Sequence, residues 1–202
     1  MRSTNPSLGF GLAGRVWRAL ARRIGGLRER VLASRIAPPP VGNTGGALYR
    51  LLFVCHGNAC RSPLAVGIMR QKLARAGLLG MVRVESAGTH VERTGVRADW
   101  RARRCARRHG ISIEDVRRRQ LTAADFGAFE RILVMDRANR DVVIALAPSP
   151  KAGSRVCMVL EDSGSGEVPD PAEGTNGDFE EVYRILDVAT DRLVAELDAK
   201  VS

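Results

Sequence analysis

Residues 48–63 decide the fold, and they read LYRLLFVCHGNACRSP. An apolar run that ends at Val54 has the length and composition of a buried parallel strand. Cys55 follows it directly, and a short polar loop leads to Pro63. Proline suits the first turn of a helix, where its missing N–H has no intrahelical partner to lose. Residues 61–77 carry apolar side chains at helical spacing. The stretch therefore predicts a strand, a tight loop and a helix.

The remainder of the chain after this stretch repeats the alternation of strands and helices. Short apolar runs predict further strands, and helical periodicity between them predicts helices. The predicted strands are 82–86, 131–135 and 156–160, and the predicted helices are 98–109, 136–146 and 179–197. Alternation of this kind predicts an α/β protein with a three-layer, doubly wound fold, in which helices cover both faces of a mostly parallel sheet.

The net charge of +10 is unevenly distributed along the chain. Residues 1–50 contain nine arginines and a single acid, Glu29, whereas the rest of the chain has 23 basic and 21 acidic groups. We therefore divide the chain into a basic extension with a Pro/Gly linker, residues 1–47, and a nearly neutral domain, residues 48–202. The high isoelectric point is then weak evidence for a nucleic-acid partner of the domain, and we predict none.

Within the extension, apolar residues recur at spacings of three and four: Val16, Leu20, Ile24, Leu27 and Val31. This pattern predicts a basic amphipathic helix, which can contact an anionic membrane surface through residues 10–36 or dock on a partner. An arginine-rich segment that is poor in acids also resembles an organelle transit peptide. The alternatives are a loosely ordered tail and a start codon assigned too far upstream.

Four cysteines in 202 residues do not make a disulfide scaffold. No apolar run approaches the length of a membrane span. Reduced thiols and a cytoplasmic location are the expectation, with peripheral membrane contact through the extension as an option. Cys55, His56 and Cys60 lack a second ligand pair at zinc spacing, so we predict no metal.

The loop between the first strand and helix has the features of an anion site. Gly57 and Asn58 can adopt the positive φ that a tight loop needs. Backbone N–H groups and the helix dipole would then face an anion. A helix N-terminus and nearby cations favour a thiolate, so Cys55 is predicted to be a nucleophile. Arg61 offers a planar fork of donors for two phosphoryl oxygens, and Ser62 can donate to the thiolate.

The loop resembles the active-site loop of the low molecular weight protein-tyrosine phosphatases. Four further stretches match in order, namely Ser86-Ala87-Gly88-Thr89, Arg108-His109-Gly110-Ile111, Val134-Met135-Asp136 and Pro169-Asp170-Pro171. The resemblance covers about residues 48–198. It implies a four-stranded parallel sheet, no metal and no other cofactor, and a cysteinyl-phosphate intermediate.

The resemblance also assigns residue roles. Asp170 would be the general acid and then the base, a choice that the sequence alone could not make over its acidic neighbours. The substrate phosphate would be held by the loop: His56, Gly57, Asn58, Ala59, Cys60, Arg61 and Ser62. Asn58, Ser62 and Ser86 would stabilise the conformation of the loop. Cys60 could form a reversible disulfide with Cys55 or could simply pack, and Asp136 is interpreted as a structural hydrogen-bond acceptor.

Four positions depart from the family pattern, and two of them, Val66 and Val116, stand where family members usually have an acidic residue and a histidine. Family members usually have aromatic residues that wall the phosphotyrosine slot where this chain has Glu92 and Ala172. The expected activity is hydrolysis of phosphate monoesters, with phosphotyrosine on a protein as the expected substrate and a bacterial tyrosine kinase as an expected partner. A phosphatase for non-aryl phosphates, an arsenate reductase and an oxyanion-binding or tethering module without enzymatic activity are the alternatives. Cys105 and Cys157 would have to serve an arsenate reductase, and neither lies in a paired motif.

Overall fold

In a computed structural model of the chain, the described residues are 48–161 and 166–201. The predicted extension, residues 1–47, lies outside them. The strands are β1 (Tyr49–Cys55), β2 (Val82–Gly88), β3 (Arg131–Val134) and β4 (Val156–Met158). The helices are α1 (Arg61–Ala76), α2 (Trp100–Arg108), α3 (Asp125–Ala128), α4 (Arg137–Leu146), α5 (Pro150–Gly153) and α6 (Asn176–Val201).

The strands form one four-stranded parallel sheet in the order β2-β1-β3-β4. Cys55 lies opposite Gly88 of β2, and Val54 lies opposite Val134 of β3. The carboxyl ends of three strands therefore meet at one edge of the sheet. In an open parallel sheet, this edge is where ligand crevices form.

Side chains of the central strand alternate between two cores, because successive residues of a strand point to opposite faces. Leu51 and Phe53 pack in a core with residues of α1, α2 and α6. Leu52 and Val54 pack in a second core with residues of α3 and α4. Helices thus cover both faces of the sheet, and the predicted three-layer α/β architecture is confirmed.

The element bounds differ from the predicted ones mainly at the ends of the chain's apolar runs. β4 ends at Met158, two residues before the predicted end, and the four-residue helices α3 and α5 were not predicted. The last helix begins at Asn176, three residues before the prediction. Thr175 and Asp178 explain this start, since the backbone N–H and hydroxyl of Thr175 both donate to the Asp178 carboxylate in the manner of a capping box. Among the described helices, none has the length and apolarity that crossing a membrane requires.

Candidate active site

The predicted phosphate loop, residues 56–60, joins the end of β1 to the start of α1 at the carboxyl edge of the sheet. Cys55 is the last residue of the strand and is buried. Arg61 is the first residue of the helix and is also buried. The positive end of the helix dipole therefore lies beside the Cys55 side chain, which is a favourable place for an anion.

The loop is held against β2 and the chain beyond it by close backbone contacts. A Cβ atom at Gly88 would lie 2.6 Å from the carbonyl oxygen of His56 and 2.8 Å from the backbone nitrogen of Asn58. Only glycine permits this approach. The backbone N–H groups of Thr89 and His90 donate to the carbonyls of Cys55 and His56, each at 2.9 Å. Gly88 and Thr89, which belong to the Ser86-Ala87-Gly88-Thr89 stretch, therefore fix where the loop begins.

Asn58 organises the middle of the loop. Its φ of 50° lies in the left-handed region, as predicted. The side-chain Oδ1 accepts a hydrogen bond of 2.9 Å from the backbone N–H of Arg119, and Nδ2 donates to Ser62 Oγ at 3.0 Å. The buried Asn58 amide thus ties the loop both to α1 and to a segment far along the chain.

Ser62 contacts the predicted nucleophile. Its Oγ lies 3.0 Å from Cys55 Sγ. Since Oγ already accepts from Asn58, the hydroxyl hydrogen of Ser62 is free to donate to the sulfur. A second acceptor, the carbonyl of Ala87, lies further away at 3.5 Å. The geometry therefore allows Ser62 to stabilise a negative charge on Cys55.

The guanidinium of Arg61 is surrounded by acceptors, and only 3% of the side chain is exposed. Nη1 donates to Asp136 Oδ2 at 2.6 Å and to the carbonyl of Val168 at 3.1 Å. Nη2 donates to Asp170 Oδ2 at 2.5 Å. Asp136 is also the N-cap of α4, where Oδ1 accepts from the backbone N–H of Asn139. Its structural role as an acceptor thus includes holding Arg61 in place.

Asp170 lies at the mouth of the site, with 45% of its side chain exposed. It bonds Arg61 through one oxygen and accepts from the backbone N–H of Ala172 through the other, at 3.1 Å. A cleft of about 450 Å³ opens here, and it is lined among others by His56, Arg61, Asp136, Asn139, Glu167 and Asp170. The structure therefore brings the predicted phosphate ligand and the predicted general acid to the same opening.

Two supporting roles differ from expectation. Gly57 does not adopt a positive φ, so that part of the loop prediction is wrong. Asn58 alone supplies the left-handed residue, and the loop needs only one. Ser86 is buried in β2, but its Oγ has no hydrogen-bond partner within the described ranges. Support of the loop from β2 comes instead from the backbone of the residues that follow Ser86.

Cys60 is buried at the N-cap of α1 and its side chain makes no capping hydrogen bond. Burial, with Asp99 and Cys55 as further causes, raises the pKa of its thiol to about 12. A protonated thiol is a poor attacking group in disulfide formation. The surroundings of Cys60 therefore favour packing over a fast exchange with Cys55, although both thiols are free in this structure.

The two positions where family members have aromatic walls are Glu92 and Ala172 in this chain, and both are exposed, so they supply no aromatic wall for the cleft. Two imidazole rings lie nearby instead. The rings of His56 and His90 are stacked, with centroids 4.8 Å apart and an angle of 20° between their planes. Trp100 is 56% exposed at the start of α2.

A second group of reactive side chains lies away from the loop, where α2 meets α6. Cys105 Sγ, His109 Nε2 and a Glu180 carboxylate oxygen are within 4.8 Å of one another. Glu180 already accepts from His109 at 2.7 Å and from Arg108 at 3.1 Å. Burial raises the pKa of the Cys105 thiol to about 12, with Glu180 as the next cause. Since Glu180 already accepts from His109 and Arg108, the group is explained as a hydrogen-bonded cluster around Glu180.

Comparisons with known proteins agree with this geometry. Residues 50–202 match the family described as low molecular weight phosphotyrosine protein phosphatase. A putative low molecular weight protein-tyrosine-phosphatase of Synechocystis, slr0328, is 36% identical over 151 residues, which are 73% of this chain and 96% of the relative. YfkJ of Bacillus subtilis, a low molecular weight protein-tyrosine-phosphatase, is 34% identical over 152 residues, 74% of this chain and 96% of YfkJ.

Solved structures agree as well. The crystal structure of YfkJ superposes with a TM-score of 0.72 at 32% identity and covers 78% of this chain and 99% of its own. The structure of Vibrio vulnificus Wzb in complex with benzylphosphonate has a TM-score of 0.66 at 26% identity and covers 74% and 99%. The chain therefore belongs to the low molecular weight phosphotyrosine protein phosphatase family.

Proposed function

We propose that this chain hydrolyses phosphate monoesters, with phosphotyrosine on proteins as the substrate class, through a cysteinyl-phosphate on Cys55. One observation carries the proposal: the buried Arg61 contacts the half-exposed Asp170 in one cleft, and Cys55, which contacts Ser62, ends the strand from which the short loop runs to Arg61. The arrangement contains a nucleophile, a planar cation for the phosphoryl oxygens and a carboxyl group for the leaving oxygen. These are the parts that thiol-based ester cleavage needs.

The first step forms a sulfur–phosphorus bond and breaks the bond between phosphorus and the ester oxygen. The thiolate of Cys55 supplies the electron pair, and the departing oxygen takes a proton from Asp170. Ser62 weakens the basicity of the sulfur by donating to it, which helps Cys55 to leave again in the second step. In that step a water attacks phosphorus, Asp170 takes a proton from the water, and the Cys55 thiolate and inorganic phosphate are released.

Asp170 and the substrate compete for Arg61. Before substrate binds, the Asp170 carboxylate accepts a hydrogen bond from Arg61. A phosphate dianion that binds Arg61 takes over this donor. Substrate binding therefore frees the Asp170 oxygen that had accepted from Arg61.

The open rim bears on the choice of substrate. Because Glu92 and Ala172 are not aromatic, a phenyl ring lacks the stacking that two aromatic walls would provide. The stacked imidazoles of His56 and His90 offer the flat surface that remains, and His56 also lines the cleft. This observation favours aryl phosphates with weak affinity and leaves non-aryl phosphates as the second candidate class. Wzb, crystallised with benzylphosphonate, shows that a relative accommodates an aromatic anion.

The alternatives with other chemistry have less support. An arsenate reductase would pass a disulfide through Cys105 and Cys157, but burial raises the pKa of the Cys105 thiol to about 12, which leaves it protonated and slow to attack. A binding module without catalysis would not need Asp170 beside Arg61.

For the partner we propose a phosphorylated protein, a bacterial tyrosine kinase in particular. We propose further that residues 1–47 form a separate unit and that residues 10–36 contact an anionic membrane surface from the cytoplasmic side, because of their basic amphipathic sequence.

The test is hydrolysis of p-nitrophenyl phosphate and of a phosphotyrosine peptide by the full chain. Activity should persist in EDTA and be lost with orthovanadate. Cys55→Ser should lower kcat by at least roughly 10³-fold and leave the affinity for inorganic phosphate unchanged, since the phosphate ligands stay in place. Arg61→Lys should also abolish turnover of both substrates, because the ammonium group of lysine cannot replace the two parallel donors of a guanidinium. Near wild-type turnover by the Ser variant would show that Cys55 is not the nucleophile.

A further inference from the structure

Arg101, in the first turn of α2, binds the loop that carries Asp170. Its Nη2 donates to the carbonyl of Ala172 at 2.8 Å, and its Nη1 donates to the carbonyl of Gly174 at 3.1 Å. The backbone N–H of the same Ala172 donates to Asp170 Oδ1. One residue, Ala172, therefore connects the Arg101 guanidinium to the Asp170 carboxylate.

The other side of Arg101 is held by Asp99. Nε and Nη2 of Arg101 lie 3.2 Å from the two carboxylate oxygens of Asp99, and the backbone N–H of Arg101 donates to Oδ1 at 2.8 Å. Burial alone would raise the pKa of Asp99, but the hydrogen bonds from Arg101 hold it below its ordinary value. The Asp99 carboxylate is thus a fixed anchor for the guanidinium.

Asp99 is in turn attached to the phosphate loop. Its backbone N–H donates to the carbonyl of Ala59 at 2.9 Å. The guanidinium of Arg101 also lies over the Phe179 ring of α6, 4.8 Å from its centroid. Hydrogen bonds therefore run from the loop that would hold the phosphate, through Asp99 and Arg101, to the loop that would supply the proton.

We propose that Arg101 is a positioning residue for Asp170, and this rests on the function proposed above. When phosphate takes over the donors of Arg61, Asp170 loses its direct contact with the phosphate site. The Asp99–Arg101 pair then holds the Asp170 loop at a constant distance from Cys55. A misplacement of about 1 Å can cost about 10²-fold in rate, so this distance matters for proton transfer.

Only an arginine can make all of these contacts with the Asp170 loop and Asp99. Arg101 serves two carbonyls and both oxygens of a carboxylate at once, with donors fixed in one plane. Lysine has three donors on a single nitrogen and cannot reach all four acceptors. Arg101→Lys should consequently retain only part of the function.

The test compares substrates that differ in their need for a proton. Phenyl phosphate has a strongly basic leaving oxygen and depends on the general acid, whereas the p-nitrophenyl leaving group departs with little help. The value of kcat/KM reports the steps up to departure of the leaving group. For Arg101→Ala we expect kcat/KM to fall by about 10²-fold with phenyl phosphate and by less than about 10-fold with p-nitrophenyl phosphate. Inhibition by inorganic phosphate should be unchanged.

A matched control is Arg103→Ala on the same helix. Arg103 donates to the carbonyl of Ala98 and to Glu114, away from the Asp170 loop. This variant should keep kcat/KM within about twofold for both substrates, because it removes an arginine of similar exposure whose contacts lie away from the Asp170 loop. If Arg101→Ala fails to fold, as judged by its melting transition, Arg101→Lys serves instead, with the same substrate dependence and a smaller loss. Equal losses for the two substrates would overturn the proposal.

The double variant separates this proposal from the assignment of Asp170. Asp170→Asn removes the acid, so adding Arg101→Ala to it should lower kcat/KM by less than about threefold. If the decreases in kcat/KM of the two single variants multiply in the double variant, Arg101 does not act through Asp170. The positioning role would then be wrong even if Asp170 is the acid. An Asp170→Asn variant with unchanged kcat/KM would instead refute the acid assignment on its own.

Discussion

Replacing Asp170 with asparagine should have two opposite effects, because its carboxylate makes two kinds of contribution. Asparagine keeps the size of the side chain, but it has one acceptor oxygen where the carboxylate has two, so it can accept from Arg61 or from the backbone of Ala172 and not from both in the present geometry. It cannot carry the proton for the leaving oxygen. General acid catalysis contributes about 10²–10⁴-fold, which corresponds to about 3–5 kcal/mol at about 1.4 kcal/mol per factor of ten. We therefore expect kcat/KM with phenyl phosphate to fall by that factor.

The second effect concerns binding. Asp170 is half exposed, so its ion pair with Arg61 is partly screened by water. Pairs of this kind contribute about 0.2–1 kcal/mol. Inorganic phosphate must compete with the carboxylate for the guanidinium. The neutral amide competes less, and the inhibition constant for phosphate should decrease by a factor of about 1.4–5. Slower turnover together with tighter product binding is the signature of this one substitution.

The assay is steady-state hydrolysis of phenyl and p-nitrophenyl phosphate, with inorganic phosphate as competitive inhibitor. Glu173→Gln is the matched control, since it removes a charge from the same loop at an exposed position. It should keep kcat within about twofold. If the Asn variant holds kcat/KM for phenyl phosphate within about threefold, another group donates the proton. If its phosphate inhibition weakens, Asp170 does not compete for Arg61.

Two further predictions concern the rim and the extension. Glu92→Trp and Ala172→Tyr should each lower KM for aryl phosphates with little change in kcat, because each wall adds about 0.5–1.5 kcal/mol of stacking; a low wild-type KM for phosphotyrosine that neither change affects would contradict this. A chain that begins at Ala47 should melt cooperatively and keep the rate of the full chain on p-nitrophenyl phosphate, because the described residues, 48–161 and 166–201, form two buried cores among themselves. Full-length protein that does not float with anionic liposomes, under conditions where a polybasic control does, would contradict the membrane-surface proposal.

The sheet could be predicted from the sequence because its central strands are buried on both faces. Such strands are continuous apolar runs, and residues 51–54 have no exposed position. The short helices α3 and α5 escaped prediction because one helical turn is too short to show periodicity. The early start of α6 does not follow from the apolar residues, which begin at Phe179, but from Thr175 and Asp178, which have the spacing of a capping box.

Within the site, the parts that are local in sequence could be predicted, and the parts that join distant segments could not. Cys55, Asn58, Arg61 and Ser62 occur within one loop and the first turn of one helix, so their proximity follows from the strand–loop–helix pattern. The backbone N–H of Arg119 that supports Asn58 comes from a segment without periodicity. The contact of Arg101 with the Asp170 loop could not be predicted either, because α2 contains several arginines and only the fold shows which one reaches this loop.

The buried residues of the site and the exposed positions Glu92 and Ala172 are subject to different physical constraints. Asn58, Arg61 and Gly88 are buried and make hydrogen bonds or close backbone contacts. Changing them leaves polar groups without partners or creates clashes, each at a cost of about 1–3 kcal/mol. Glu92 and Ala172 are exposed, and substitutions at such positions usually shift stability by about 0.5 kcal/mol or less. Substitutions at such exposed positions can therefore change substrate preference while the fold and the buried residues stay the same.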